Sequence, residues 1–268
     1  QGGWEGEVEC LGVHTAHDES ISALIEVPGG LAVSGSADET VKIWRLGQSE
    51  DGPPLECIDT LSGHKGPISC LAVCQDAVLS GSLDKTIVVW ERSTRPSLPQ
   101  GSFAKTQVLR EAKGVVASIA VFAAPASPGR MWVAAATGMG EIVVWEAGTW
   151  TVLHRFTGAH RKVIKMVCAP SPLDATLISA DEKRVKVWDV SAHPWAVVKD
   201  IHVHEDDDQD QGPKDSICSL YIAPDKVRPS PVSTQLPREF RAGNAPVSVT
   251  GSVGTPLLSL RGSETSFK

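Results

Sequence analysis

Aromatic side chains are scarce in this sequence. They make up 5% of its 268 residues, and tyrosine occurs once. Tryptophan nevertheless occurs eight times, against five phenylalanines. A set of aromatics dominated by tryptophan indicates that this residue is required at particular positions along the chain, so the tryptophan positions need an explanation.

Long apolar runs and common catalytic strings are missing. No stretch approaches the roughly 20 apolar residues that a membrane-spanning helix needs, and no signal-peptide hydrophobic region opens the chain. The strings GxSxG, GxGxxG and HExxH and the P-loop are absent as well. We therefore expect no membrane insertion, no enzymatic activity and no catalytic, cofactor-binding or metal-binding residues.

An excess of positive charge is also missing, since 25 Lys and Arg face 32 Asp and Glu and the net charge is −7. This balance argues against a nucleic-acid footprint over the whole surface, although a place within a ribonucleoprotein assembly stays open. None of the six cysteines forms a CxxC pair with zinc spacing, and several lie in apolar segments such as ISCLAVC. We interpret them as reduced thiols of a cytoplasmic or nuclear protein.

What the sequence does contain is a repeat. SGSADETVKIW, which ends at Trp44, and SGSLDKTIVVW, which ends at Trp90, are near copies. Related segments end at Trp145 and Trp188, so the spacings are 46 residues from Trp44 to Trp90, 55 to Trp145 and 43 to Trp188. These values lie near the period of roughly 40–45 residues of a four-stranded blade in a β-propeller. Short apolar segments between Gly, Asp and Ser turn signals predict strands throughout.

Upstream histidines make the pattern more specific, because His17, His64 and His160 each precede an aspartate by 20 or 21 residues. With these histidines and the recurring tryptophans, the chain resembles the WD-repeat β-propeller family. That resemblance implies a buried tetrad in each blade, in which His, Ser, Asp and Trp are joined by hydrogen bonds. The matching residues are His17, Ser34, Asp38 and Trp44 in the first repeat, His64, Ser80, Asp84 and Trp90 in the second, and His160, Asp181 and Trp188 in the fourth.

Two repeats depart from this pattern. The third has Ala112, Ala135 and Met139 at the His, Ser and Asp positions and keeps only the tryptophan. In the fourth, the segment from Ser179 to Trp188 is one residue short, which leaves the role of Asp181 open. We expect weaker hydrogen-bonded support in both blades.

The repeat fades towards the end of the chain. We assign residues 1–225 to blades, four clear and a fifth partial, and 226–268 to a Pro-, Ser- and Gly-rich irregular tail or degenerate blade, in which VSVTGSVGTPLLSL suggests a hairpin. Seven blades, the usual number in the family, would need about 300 residues. We expect a part of a seven-bladed propeller; a five-bladed ring is the alternative.

Two groups of residues invite a chemical interpretation. His202 and His204, followed by a run of acids, have spacing that suits zinc or nickel, but a solvated loop explains them better. For partner binding we select Leu83, Arg161, Lys162 and Lys165, because the resemblance places them on the narrow face of the disc. Scattered surface charge is the alternative for the three cations.

The resemblance implies a non-catalytic scaffold for protein–protein interaction, a subunit of a larger macromolecular complex. The alternative is a propeller attached to an enzyme, as in a ubiquitin ligase substrate receptor or a kinase-fused protein. The WDxR signature of such receptors is not met at Trp188 to Ser191. Fold alone does not decide between these two functions.

Overall fold

A computed structural model describes residues 13–47, 55–93, 102–125, 127, 129–161, 165–168, 176–191, 195–202, 222–223, 247–252 and 255–260. For 165–168, 222–223, 247–252 and 255–260 it describes the backbone alone. Across these residues all regular structure is β-strand. The predicted all-β class is therefore confirmed.

Four antiparallel sheets of four strands follow one another along the chain, and in each the strands pair in sequence order. Blade 1 contains β1 (Ile21–Val27), β2 (Leu31–Ser36), β3 (Thr40–Leu46) and β4 (Leu55–Ser62). Blade 2 contains β5 (Ile68–Cys74), β6 (Ala77–Ser82), β7 (Ile87–Arg92) and β8 (Phe103–Leu109). Blade 3 contains β9 (Val116–Ala123), β10 (Met131–Thr137), β11 (Ile142–Glu146) and β12 (Val152–Phe156). Blade 4 contains β13 (Lys165–Cys168), β14 (Thr176–Ala180), β15 (Arg184–Asp189) and β16 (Ala196–His202).

The middle strands are apolar because both of their faces are covered. All six residues of β6 are buried, as are the first four of β7. Strands covered on both sides read as continuous runs of Val, Ile and Leu rather than as an alternating pattern. The repeated segments before each tryptophan have this composition for that reason.

Consecutive blades pack through buried clusters that contain side chains from both. β5 contacts β1 on one side and β9 on the other, and β9 also contacts β13, so the first strands lie side by side. The clusters join Val33 and Ile43 to Ile68 and Val88, Leu79 and Ile87 to Val143 and Trp145, and Ala134 and Val144 to Leu177 and Trp188. Stability in such an array comes mainly from contacts between neighbours.

One glycine and one serine set the spacing between blades 1 and 2, and another glycine and serine set it between blades 2 and 3. Ser22 Oγ donates to the carbonyl of Ile68 at 2.5 Å, and Ser69 Oγ donates to that of Val116 at 2.5 Å. A Cβ added at Gly35 would lie 2.6 Å from Cγ2 of Ile68, and one at Gly81 the same distance from Cγ1 of Val116. Only glycine lets the next blade approach so closely.

The first strand of blade 1 is less covered than its equivalents. Ile21 is 51% exposed, whereas Ile68 and Val116, at the same position of blades 2 and 3, are 1% and 0% exposed. Within the described ranges, β1 therefore lacks the neighbour that covers β5 and β9. The number of seven blades stays a prediction.

A smaller sheet contains β17 (Ile222–Ala223), β18 (Val247–Ser252) and β19 (Thr255–Leu260). β18 and β19 form an antiparallel hairpin at VSVTGSVGTPLLSL, whereas β17 pairs with β18 in parallel. The parallel pair differs from the antiparallel order of the four blades, so this sheet is not a complete blade of the same kind.

Candidate functional site: the buried networks and the narrow face

In blade 2 a chain of side-chain hydrogen bonds crosses the sheet. His64 Nδ1 lies 2.9 Å from Asp84 Oδ2, and its Nε2 lies 2.8 Å from Ser80 Oγ. The indole N–H of Trp90 donates to the same hydroxyl oxygen at 2.8 Å. With the Nδ1 proton donated to the carboxylate, Nε2 accepts the serine proton and every polar atom has a partner.

Blade 1 repeats this geometry. His17 Nδ1 lies 2.8 Å from Asp38 Oδ2, and Nε2 lies 2.7 Å from Ser34 Oγ. Trp44 Nε1 donates to Ser34 Oγ at 2.8 Å. The loop before β1, the middle strand β2 and the strand β3 are thus held together by one network.

Asp38 and Asp84 also close the tight turns between the second and third strands of blades 1 and 2. Burial alone would raise the pKa of Asp84, but hydrogen bonds from the Thr86 hydroxyl, the Lys65 N–H and His64 lower it to about 2. At Asp38 burial is likewise outweighed, by the Thr40 hydroxyl and N–H, His17 and the Asp18 N–H, and its pKa falls well below the usual range. Both carboxylates are therefore ionised at neutral pH.

Blade 4 assembles the same network in spite of its shorter turn. His160 contacts Asp181 at 3.0 Å and Ser179 at 2.7 Å, and Trp188 Nε1 donates to Ser179 Oγ at 2.8 Å. Asp181 Oδ1 accepts from the N–H groups of Lys183 and Arg184. Although the segment from Ser179 to Trp188 is one residue shorter than in blades 1 and 2, the turn still directs the Asp181 carboxylate towards His160.

Blade 3 has a different network in the same place. Trp145 Nε1 donates to Glu111 Oε2 at 3.3 Å, which replaces the missing serine. The buried Glu141 accepts the N–H of Lys113 at 3.2 Å and pairs with Arg155 at 2.5 Å. The carboxylate of Glu141, two residues after Met139, therefore takes the role of the aspartate that this turn lacks.

Neither Glu111 nor Glu141 was predicted from the sequence as a network residue. Glu141 aligns with Thr40 and Thr86 in the repeats, and its carboxylate binds the N–H that follows the histidine position, as Asp84 binds Lys65 N–H at 2.9 Å. Gly140 has a φ of 77°, close to the 69° of Lys85 at the equivalent position. One signal in the sequence could have indicated Glu141. It is an acidic residue at the threonine position of the repeat that lacks the aspartate.

The loop before the first strand and the turn between the second and third strands lie at the same end of each sheet. We call the surface formed by these loops and turns in blades 1 to 4 the narrow face. Leu83 is 46% exposed there and Met139 is 69% exposed, whereas Ala180, the residue before Asp181, is fully buried.

The structure describes only some of the three cations that were predicted to bind a partner. Arg161 lies on the narrow face with an exposed side chain. Lys165 begins β13 opposite Ala180, where only its backbone is described, and Lys162 lies outside the described residues. The structure therefore places Leu83 and Arg161 on this surface and leaves the other two as predictions.

Comparison with known proteins agrees with this geometry. The WD40 family, described as WD domain, G-beta repeat, matches residues 8–45 and 55–91. These two segments are WD repeats. Apart from one terminal residue in each case, the first matched segment contains β1 to β3 and the second contains β4 to β7, so the two segments include the histidine, serine, aspartate and tryptophan networks of blades 1 and 2.

Several curated proteins are similar over a part of the chain. Mitochondrial division protein 1 of Neurospora crassa is 36% identical over 88 residues, 32% of this chain and 13% of that protein. Zinc finger CCCH domain-containing protein 62 of Arabidopsis thaliana is 25% identical over 100 residues, 34% of this chain and 24% of that protein. Mitochondrial division protein 1 of Coccidioides immitis is 34% identical over 86 residues, 32% of this chain and 12% of that protein. The chain thus matches less than a quarter of the length of each relative.

The buried histidines of blades 1, 2 and 4 are enclosed by their networks. The side chains of His17, His64 and His160 are 0%, 1% and 0% exposed, so none reaches solvent or a bound molecule. In the described ranges every buried side-chain nitrogen or oxygen has a hydrogen-bond partner. These groups support the blades and present no reactive atom at the surface.

The described part of the chain contains no cluster of three metal-ligating side chains and no helix that is long and apolar enough to cross a membrane. His202 ends β16, and the acids that follow it, with His204, lie outside the described residues. Burial raises the pKa of Cys74 to about 11, so its thiol stays protonated.

Proposed function

We propose that this WD-repeat protein is a non-catalytic interaction scaffold, a subunit of a multi-protein complex in the cytoplasm or nucleus. The observation that carries the proposal is a division of side chains among the blades. Histidine, aspartate and serine lie in the buried networks of blades 1, 2 and 4, while exposed apolar side chains lie on the narrow-face turns of blades 2 and 3. Leu83 and Met139 are 46% and 69% exposed in two neighbouring blades.

Exposed apolar side chains on turns favour protein binding, since such positions in a monomer are normally polar. The names of the relatives point the same way. One is named for mitochondrial division and another for a CCCH zinc finger, so proteins with different names share this stretch of repeats. A shared stretch of this kind is best explained by binding to different partners. The reduced thiols expected from the sequence support a cytoplasmic or nuclear location.

The test is the size of the native complex. We would tag the full-length protein in its cells and compare the wild type with Leu83→Glu/Met139→Glu by size-exclusion chromatography and quantitative mass spectrometry. The matched control is Val198→Glu, because Val198 is 60% exposed on β16, away from the narrow face. We expect partners to co-elute with the wild type and the control and to be lost from the double variant.

A wild type that elutes as a monomer without partners would refute the scaffold function. Loss of partners from the control as well would refute the role of the narrow face. The alternative, a propeller attached to an enzyme, predicts a catalytic domain in the flanking coding sequence, which sequencing of the complete transcript would reveal.

A further inference from the structure

The residue that follows each network histidine has a fixed position on the narrow face. These residues are Asp18, Lys65, Lys113 and Arg161 in blades 1 to 4, and all four are exposed. In the first three blades the backbone N–H of this residue donates to a turn carboxylate, at 3.1, 2.9 and 3.2 Å. Each side chain therefore extends from an anchored backbone, which reduces the entropy lost when it binds a partner.

Lys65 and Lys113 each lie close to an exposed apolar side chain. In blade 2 the N–H of Leu83 donates to the carbonyl of Pro67 at 3.0 Å, which joins the turn to the loop that contains Lys65. In blade 3 a Cβ on Gly114 would lie 2.9 Å from Cγ of Met139, so Met139 lies over the residue after Lys113. Two neighbouring blades thus present a cation beside an apolar group.

Arg161 continues this row from blade 4. The turn of blade 3 lies against the loop of blade 4, since a Cβ on Gly140 would lie 3.1 Å from the carbonyl carbon of Arg161. The N–H of His160 also donates to the carbonyl of Gly140 at 3.4 Å. The third cation therefore lies next to the turn that contains Met139.

Blade 1 has the opposite character. Asp18, Glu19 and Glu39 are exposed on its loop and turn. The small Ala37 stands where Leu83 stands in blade 2, and Asp38 stands where Met139 stands in blade 3. Apart from the network carboxylates, the other exposed charged side chains of the loops and turns in blades 2 to 4 are mainly basic. They are Lys85, Arg110, Lys183 and Arg184, against Glu182 and Glu111, which accepts the indole N–H of Trp145. A basic surface on a chain of net charge −7 is selective for a partner of the opposite sign.

We propose that the narrow face of blades 2 to 4 binds an acidic segment of a partner protein that also carries apolar side chains. Lys65, Lys113 and Arg161 pair with its carboxylates, and Leu83 and Met139 contact its apolar side chains. Blade 1 repels the acidic part, which fixes the position of the segment on the disc. This inference rests on the proposed scaffold function and specifies the chemistry of one partner.

The test begins without a known partner. A random-peptide phage library is selected on the immobilised full-length protein, and enriched peptides are synthesised and measured by fluorescence polarisation. We expect sequences that combine Asp or Glu with Leu, Ile or Phe. Lys65→Glu/Lys113→Glu should weaken their binding about tenfold or more and reduce its dependence on salt. Leu83→Ser/Met139→Ser should weaken it while the salt dependence is retained.

The matched control is Lys105→Glu/Lys199→Glu, which reverses two exposed lysines on the outer strands β8 and β16. It makes the same change in net charge and should leave affinity within about twofold of the wild type. The proposal is overturned by failure to enrich peptides, by enrichment of peptides without acids, or by equal loss in the control. Circular dichroism of each variant shows whether it has folded.

The size of the native complex separates this inference from the scaffold function. If Lys65→Glu/Lys113→Glu keeps all partners of the wild type and no acidic peptide binds, the inference is wrong and the scaffold function stands. If the wild type has no partners in cells, the scaffold function is wrong, whatever the peptides show.

Discussion

Ser80→Ala tests the buried network of blade 2. The Ser80 hydroxyl is fully buried and accepts the indole N–H of Trp90 at 2.8 Å. Its loss leaves that indole without an acceptor in a strand that water does not reach. His64 Nε2, which carries no proton while Nδ1–H donates to Asp84, loses its donor as well. The expected cost is therefore at least that of one buried unsatisfied donor, about 1–3 kcal/mol.

A double-mutant cycle separates this hydrogen bond from packing effects. Trp90→Phe removes the N–H donor, so Ser80→Ala should cost less in that background, with a coupling free energy of about 1–2 kcal/mol. The assay is urea denaturation followed by circular dichroism, and Ser62→Ala, an exposed serine on β4, is the control that should change stability by less than about 0.5 kcal/mol. A coupling free energy within about 0.3 kcal/mol of zero would refute the network as a source of stability.

Three further predictions use the other blades. Glu141→Ala should destabilise the protein by about 1–3 kcal/mol because Lys113 N–H and Arg155 lose their acceptor, whereas Met139→Ala, at an exposed side chain, should change the urea midpoint little. Gly81→Ala should lower the free energy of unfolding by about 1–3 kcal/mol, because the added Cβ overpacks against the next blade. Gly63→Ala should lower it less, because its Cβ meets only the flexible end of Lys105 within 3.0 Å. Equal thermal midpoints for the two variants would contradict this. Burial lowers the pKa of His160 in the fold, despite the opposing effect of Asp181. The free energy of unfolding should therefore fall as the pH drops below about 6.5, the pKa of an unfolded histidine. His160→Asn should remove this part of the pH dependence, as measured by urea titrations at several pH values.

The repeated tryptophans predicted the four blades because each marks the same strand of a unit that cannot bury its faces alone. Alignment of the repeats also places His17, Ser34 and Asp38 in register, and in the structure they lie within hydrogen-bonding distance of one another. A pattern that recurs at one position per unit can be read from the chain, since every unit meets the same local requirement.

Blade 3 shows what the repeat pattern leaves out. By sequence, Ala135 and Met139 remove the network, yet Trp145 is fully buried and its N–H has an acceptor in Glu111, 34 residues away. Which distant carboxylate fills such a position depends on the side-chain geometry of two strands and a loop. Alignment with the intact repeats does not supply that geometry.

The sequence by itself determined the all-β class, the repeat and the residues that each intact blade contributes to its network, because these follow from periodicity and local turn chemistry. Only the tertiary structure decided that Asp181 reaches its histidine and that Glu141 replaces an aspartate. It also brought Lys65, Lys113 and Arg161 onto one surface beside Leu83 and Met139. These arrangements depend on how successive blades pack through Gly35 and Gly81 and on which turns meet which loops. Such contacts join residues that are far apart in the chain, and no local pattern specifies them.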